Sequence, residues 1–163
     1  MSKLAVYPGS FDPFTLGHLD VARRAANIFD QVLLLVVHNP SKQPTFDSTE
    51  RVEMVKRVIE TESLPNVHVK QLPSGLLTEY CKLLGADVIV KGLRNASDLA
   101  GELPQANVNR DFSGIETLYL PSDPALSYVS SSLVRQVAEL GGDITKYVPA
   151  SIAETYARKL RND

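Results

Sequence analysis

The stretch YPGSFDPFTLGHLD, Tyr7 to Asp20, gathers residue types that suit the binding of an anion. Gly9 permits an unusual backbone turn and close approach of a ligand. Ser10 adds a hydroxyl and an amide donor. Gly17 and His18 fall in the first turn of a helix, where unpaired N–H groups and the macrodipole favour negative charge. Comparable chemistry recurs further along: Lys42 in NPSKQP, Lys91 and Arg94 in KGLRN, and the run Ser130-Ser131-Ser132 ahead of a helical segment. Three serines at a helix start offer hydroxyls and main-chain amides together, a combination that suits a triphosphate. There is no Ser-His-Asp or Cys-His arrangement, and no His/Cys/Asp spacing suggests a dedicated metal cage.

Such residues need a scaffold that brings them to one place. KLAVY (Lys3–Tyr7) reads as a first strand, and Leu19, Ala22, Ala26 and Phe29 then recur at helical spacing. QVLLLVVH (Gln31–His38) is apolar on both faces, as a central parallel strand is. Asp47 and Glu50 form a candidate capping box for a helix through Val52, Val55 and Ile59. VHVKQL (Val67–Leu72) alternates, as a strand nearer an edge does, and Leu77, Tyr80, Cys81 and Leu84 line a helix that Gly85 stops. DVIVKG (Asp87–Gly92) and ETLYL (Glu116–Leu120) are further strands, separated by a poorly patterned helical stretch from about Ser97 to Phe112. Helices over Ser130–Leu140 and Ala150–Leu160 complete the pattern.

Strands alternating with helix-length connections predict an α/β fold: one doubly wound, parallel five-stranded sheet with helices on both faces, a single domain over 1–163. In such sheets ligands bind outside the carboxyl ends of the strands. The segments after the five predicted strands are PGSFDPFTLGH, NPSKQP, PSG, KGLRN and PSDPALSYVSSS, so the polar residues named above converge on one edge.

Composition narrows the function. The chain is 44% hydrophobic and 22% charged with a formal net charge of -2, the balance of an ordinary soluble protein, without the basic excess that nucleic acid or an anionic membrane would call for. The longest apolar run, VLLLVV, is far below the ~20 residues that span a bilayer. The opening residues hold only a three-residue apolar run before Tyr7 and Pro8, too short for a signal peptide. One cysteine, Cys81, fits a reducing compartment, and the expected location is the cytoplasm.

TLGH resembles the T/HxGH signature of the nucleotidyltransferase superfamily. Together with YPGSFDPF, NPSKQPTF, KGLR and YVSSSLVR, in order and spacing from Tyr7 to about Pro149, it resembles the bacterial phosphopantetheine adenylyltransferase family. That resemblance implies a Rossmann-like fold and adenylyl transfer from ATP to 4′-phosphopantetheine, giving dephospho-coenzyme A and pyrophosphate. The acceptor phosphate would attack the α-phosphorus directly, with no covalent intermediate and no general base. By the same resemblance His18 stabilises the transition state with Lys42. Ser10, Lys42 and Lys91 meet the acceptor phosphate, and Leu77 lines the pantetheine arm. ATP contacts fall on Ser10, Phe11, His18, Gly92, Leu93, Arg94, Glu102, Leu126, Ser127, Tyr128, Val129, Ser130, Ser131 and Ser132. The resemblance also implies Mg²⁺ carried on the ATP phosphates, a homohexamer, and coenzyme A as feedback inhibitor. Other readings are a sister nucleotidyltransferase with another phosphate acceptor, a class I aminoacyl-tRNA synthetase fragment, and a non-catalytic nucleotide or coenzyme A sensor. A KMSKS-like loop is missing for the second, and His18 with Lys42 argues against the third.

The chain departs from the family pattern where Lys91 stands for a common Arg and where Asp98-Leu99-Ala100-Gly101-Glu102 precedes Leu103-Pro104. Gly101 and an interior Pro104 predict a break or kink between Asp98 and Pro104, with regular helix from about Pro104 onward. His38, His68 and Cys81 read as structural, Cys81 as core.

Overall fold

In the computed structural model, which describes residues 1–38, 43–72 and 74–162, five strands and six α-helices alternate in the predicted order. They are β1 (Leu4–Gly9), α1 (Leu16–Ile28), β2 (Gln31–Val36), α2 (Ser48–Thr61), β3 (Val67–Gln71) and α3 (Leu77–Leu84). There follow β4 (Val88–Leu93), α4 (Ala96–Ser113), β5 (Glu116–Pro121), α5 (Ser131–Glu139) and α6 (Ala150–Asn162). All strand pairs are parallel, in the order β3-β2-β1-β4-β5. The winding reverses between β1 and β4, which opens a crevice at their carboxyl ends.

Alternation along the strands divides the core. Ala5, Tyr7, Val32, Leu34 and Val36 face the larger cluster with α1, α2, α5 and α6, while Val6, Leu33, Leu35 and Ile89 face a smaller one built on α3. Cys81 is fully buried in that smaller cluster, and burial pushes its thiol up to about 11, so it is inert core. β3 lies at a sheet edge with alternate residues exposed, as its pattern predicts.

Local signals account for most element ends. Asp47 and Glu50 form the predicted reciprocal box, with main-chain N–H to carboxylate distances of 2.8 Å each way. Gly85 ends α3 in the left-handed conformation (φ 68°). In α1 the buried stripe is Leu19, Val21, Ala22 and Ala25, and the predicted Ala26 and Phe29 are only partly buried. Val21 joins the buried stripe by packing against Gly92 of β4, where a Cβ would meet its Cγ2 at 3.0 Å.

Two expectations are corrected. Gly9 is a strand residue, not a turn, and pairs with Val36; β4 holds Lys91 and Gly92 as its pattern predicts and runs one residue further, where Leu93 pairs with Pro121. Gly9 is required for another reason, since a Cβ there would lie 2.6 Å from the Phe11 ring. The predicted break before Pro104 is also absent, and α4 runs unbroken from Ala96 to Ser113 with Pro104 inside it. Proline removes one donor from a long ladder whose ends are secured. Asn95 Oδ1 accepts from Asp98 N at 2.9 Å, and Gly114 (φ 74°) closes the far end. Packing on α3 and β5 adds the tertiary contacts that propensity ignores.

Candidate active site

The carboxyl ends of β1, β2 and β4, with the α5 start, enclose a cavity of about 360 Å³. Of the predicted residues, Ser10, Phe11, His18, Lys91, Gly92, Arg94, Glu102, Leu126, Val129, Ser130, Ser131 and Ser132 line it. Leu77, Leu93, Ser127 and Tyr128 do not. Leu77 packs on the α3 cluster, Ser127 Oγ donates to Pro124 O at 3.0 Å, and Tyr128 is exposed beside Tyr147. Lys42 lies outside the described residues.

His18 is the best-defined group in the cavity. Thr15 caps α1, its Oγ1 accepting from His18 N at 3.3 Å. The Thr15 N–H in turn donates to His18 Nδ1 at 3.0 Å. An Nδ1 that accepts a main-chain hydrogen bond carries no proton, so the neutral ring carries it on Nε2. Phe14 stacks on the imidazole at 5.5 Å and Phe11 meets it edge-on at 5.1 Å. Burial above all, then the positive charges of Arg94 and Lys91, pull its pKa down to about 4. At neutral pH His18 is an uncharged, oriented N–H donor.

The cations are held by carboxylates of α4. Arg94 gives Nε and Nη2 to Asp98 at 2.8 and 2.9 Å, and its main-chain N–H to the same carboxylate at 3.0 Å. This hydrogen bonding keeps Asp98 below the usual carboxylate range. It leaves the outer Nη edge of the guanidinium for another anion. Lys91 Nζ lies 3.4 Å from Glu102 Oε2. Tyr7 lines the cavity too, and burial, with Glu102 and Asp20 nearby, raises its phenol so that it stays protonated.

The three serines are not equivalent. Ser130 is the N-cap of α5, its Oγ accepting from Leu133 N at 3.1 Å, and Ser132 Oγ accepts from Arg135 at 3.3 Å, so both keep an O–H to donate. Ser131 spends its O–H on Pro13 O at 2.8 Å and offers its main-chain N–H, one of the orphan donors of a helix start. The edge therefore presents neutral donors and cations, which suits phosphate.

Among the cavity residues to which the sequence assigned no binding role are Asp12, His38, Arg51 and Arg135. Asp12 is buried, and its carboxylate accepts from Thr45 N at 2.8 Å and Phe46 N at 3.3 Å. Arg135 donates to the Asp12 carbonyl. Arg51 is 2% exposed, with its guanidinium turned inward. His38, predicted to be structural, is exposed at the cavity rim. Arg135 sits in the YVSSSLVR segment and Asp12 in SFDPF, so their neighbourhood was visible; nothing local marks a helical arginine as buried.

A family model described as cytidylyltransferase-like matches residues 6–137. The chain is 54% identical over 158 residues to a phosphopantetheine adenylyltransferase of Clavibacter michiganensis subsp. michiganensis, covering 96% of this chain and 97% of that one. It is 44% identical over 160 residues to the enzyme of that name from Streptomyces coelicolor, covering 98% and 99%. Among solved structures, a nicotinic acid mononucleotide adenylyltransferase of Plasmodium falciparum complexed with NaAD superposes with a TM-score of 0.72 at 18% identity, over 98% of this chain and 96% of that one, a likeness of fold.

Proposed function

The chain belongs to the phosphopantetheine adenylyltransferase family and is a nucleotidyltransferase; from that premise we propose that it transfers the adenylyl group of ATP to 4′-phosphopantetheine, giving dephospho-coenzyme A and pyrophosphate. The acceptor phosphate has its second pKa near about 6, so at neutral pH it is already a dianion and needs no general base. One of its oxygens forms a bond to the α-phosphorus while the bond from that phosphorus to the pyrophosphate oxygen breaks, in line. Catalysis is then positioning plus stabilisation of charge on the α-phosphate oxygens.

The reading turns on one observation: the Thr15 N–H donates to His18 Nδ1 at 3.0 Å, which orients the ring and leaves the proton of the neutral imidazole on Nε2. A neutral donor of this kind strengthens its hydrogen bond as charge gathers on the α-phosphate. Around it, the outer edge of Arg94 and the Ser130–Ser132 donors hold the β- and γ-phosphates. Ser10, Lys91 and Lys42 hold the acceptor phosphate, and Leu77 meets its arm. Glu102 only accepts hydrogen bonds, so it suits Lys91 and a ribose hydroxyl rather than a phosphate oxygen. Among the described residues no three His, Cys, Asp or Glu side chains converge into a metal cage. By family resemblance the proposal includes Mg²⁺ carried on the phosphates of ATP, and no step above depends on a protein-held ion.

The family resemblance extends the proposal to a cytoplasmic homohexamer inhibited by coenzyme A. No described helix is long and apolar enough to cross a membrane. Pyrophosphate release, measured with ATP and 4′-phosphopantetheine, nicotinate mononucleotide or glycerol phosphate in turn, tests the assignment. Turnover with the pantetheine acceptor alone is expected. Preference for another acceptor would make the chain a sister enzyme, and release with none would make it a nucleotide sensor.

A further inference from the structure

Arg51 is a buried charge on α2 that donates to four acceptors: Phe46 O at 3.1 Å, Val37 O at 3.2 Å, Ser48 Oγ at 2.9 Å, and Ser10 O. These acceptors lie at the end of β1, just beyond β2, and at the entry to α2. One guanidinium thus laces together three segments that border the cavity. Burying a cation is costly unless its donors are satisfied, so the arrangement is held by geometry as well as charge.

The bond to Ser10 O acts on the next peptide. Phe11 has φ 49°, a left-handed conformation that a non-glycine residue adopts at a cost of roughly 1–2 kcal/mol. Two contacts hold it there: its ring, 2% exposed and packed against Gly9, and Arg51 on the carbonyl of the peptide that precedes it. The Ser10–Phe11 peptide is trans, so with the carbonyl turned to Arg51 the Phe11 N–H points to the opposite side. Among the described residues no acceptor meets that N–H, although nearly all main-chain donors in buried residues find one. Phe11 lines the cavity beside His18.

We infer that Arg51 is a positioning residue that fixes the strained Ser10–Phe11 peptide so that the Phe11 N–H is presented to a phosphate oxygen of the nucleotide. This rests on the adenylyl-transfer reading above. Arg51 touches no reacting atom and acts through the main chain, so its effect is confined to the phosphate-bearing part of the ligand. The Asp12 carboxylate, which takes the Thr45 and Phe46 amides, closes the other side of the same lacing and leaves Arg51 its carbonyl acceptors.

The test is to measure binding of ATP and of adenosine, which lacks phosphates, to wild type and Arg51→Lys by calorimetric titration and competition, with melting curves as a check on folding. Lysine keeps the charge but lacks the planar fork, so it cannot meet all these acceptors together. ATP is expected to bind at least tenfold more weakly to R51K, with adenosine changed less than twofold and the acceptor-independent fold retained. Should R51K fail to fold, Ser48→Ala removes one acceptor and leaves the guanidinium. A threefold or greater loss for ATP alone is expected there. Equal losses for ATP and adenosine, or no loss for ATP in a folded variant, would overturn the inference. A wild-type chain that binds no ATP would instead overturn the adenylyl-transfer reading, and this inference with it.

Discussion

Lowering the pH should destabilise the fold through His18 in a way that a variant without the imidazole escapes. In the unfolded chain His18 takes a proton near 6.5, whereas in the fold, desolvated and facing Arg94 and Lys91, it does so only near about 4. Between these values the unfolded state binds one more proton than the native state. Stability therefore rises with pH across the window, is lost as pH falls through it, and loses nothing further from this group below about 4. A gap of about 2.5 pH units at about 1.4 kcal/mol each amounts to roughly 3.5 kcal/mol, and water at the cavity mouth brings the expectation to about 2–3 kcal/mol. Urea unfolding of wild type and His18→Gln at pH 7, 6, 5 and 4.2, at one protein concentration, isolates the contribution, because every other titrating group appears in both. The stability difference between the two proteins should shift by that amount against the wild type. Parallel stability curves would refute the assignment of a half-buried, neutral imidazole. Arg94→Gln should recover a minor part of the loss, since burial outweighs charge in holding the pKa down.

His18→Ala should lower kcat by roughly 10²–10³ with much smaller effects on KM, while His18→Gln, which keeps a neutral N–H donor, should retain more turnover in a pyrophosphate-release assay. Lys91→Ala and Lys42→Ala should each raise KM for the phosphate acceptor more than KM for ATP, by the tenfold or more that loss of a charge-assisted hydrogen bond of about 1.5–3 kcal/mol implies; a loss confined to ATP would contradict those assignments. Gly101→Ala should raise the melting temperature, because a Cβ at that helical position meets nothing within 4 Å and alanine favours helix by about 1 kcal/mol. Pro104→Ala should stabilise too, by restoring a main-chain donor inside α4.

What could be read from the chain and what could not divide by the range of the forces involved. Strands, helices, the Asp47–Glu50 box, the Gly85 stop and the serine N-cap depend on neighbours a few residues away, so the order of the elements and the convergence of Ser10, His18, Lys91, Arg94 and Ser130 at one edge were legible. The motif TLGH likewise pointed to His18 through its place in a first helical turn and its likeness to a known signature, and the fold adds the Thr15 cap that ties it to the third residue of α1. Pro104 stays helical because its penalties are local, whereas the capped ends and the tertiary packing of α4 act over the whole helix. That position 9 needs a glycine was legible, but not the contact that imposes it, since only the fold brings the Phe11 ring against it. Arg51 stayed hidden for the same reason. Its acceptors come from residues up to 41 positions away, and a helical arginine turns inward only where folding has assembled carbonyls to receive it. His18 shows both sides: its place in the first turn of α1 follows from the sequence, but its neutrality and the nitrogen that bears its proton come from burial and from Arg94 and Lys91, brought alongside by the parallel pairing of β1 with β4.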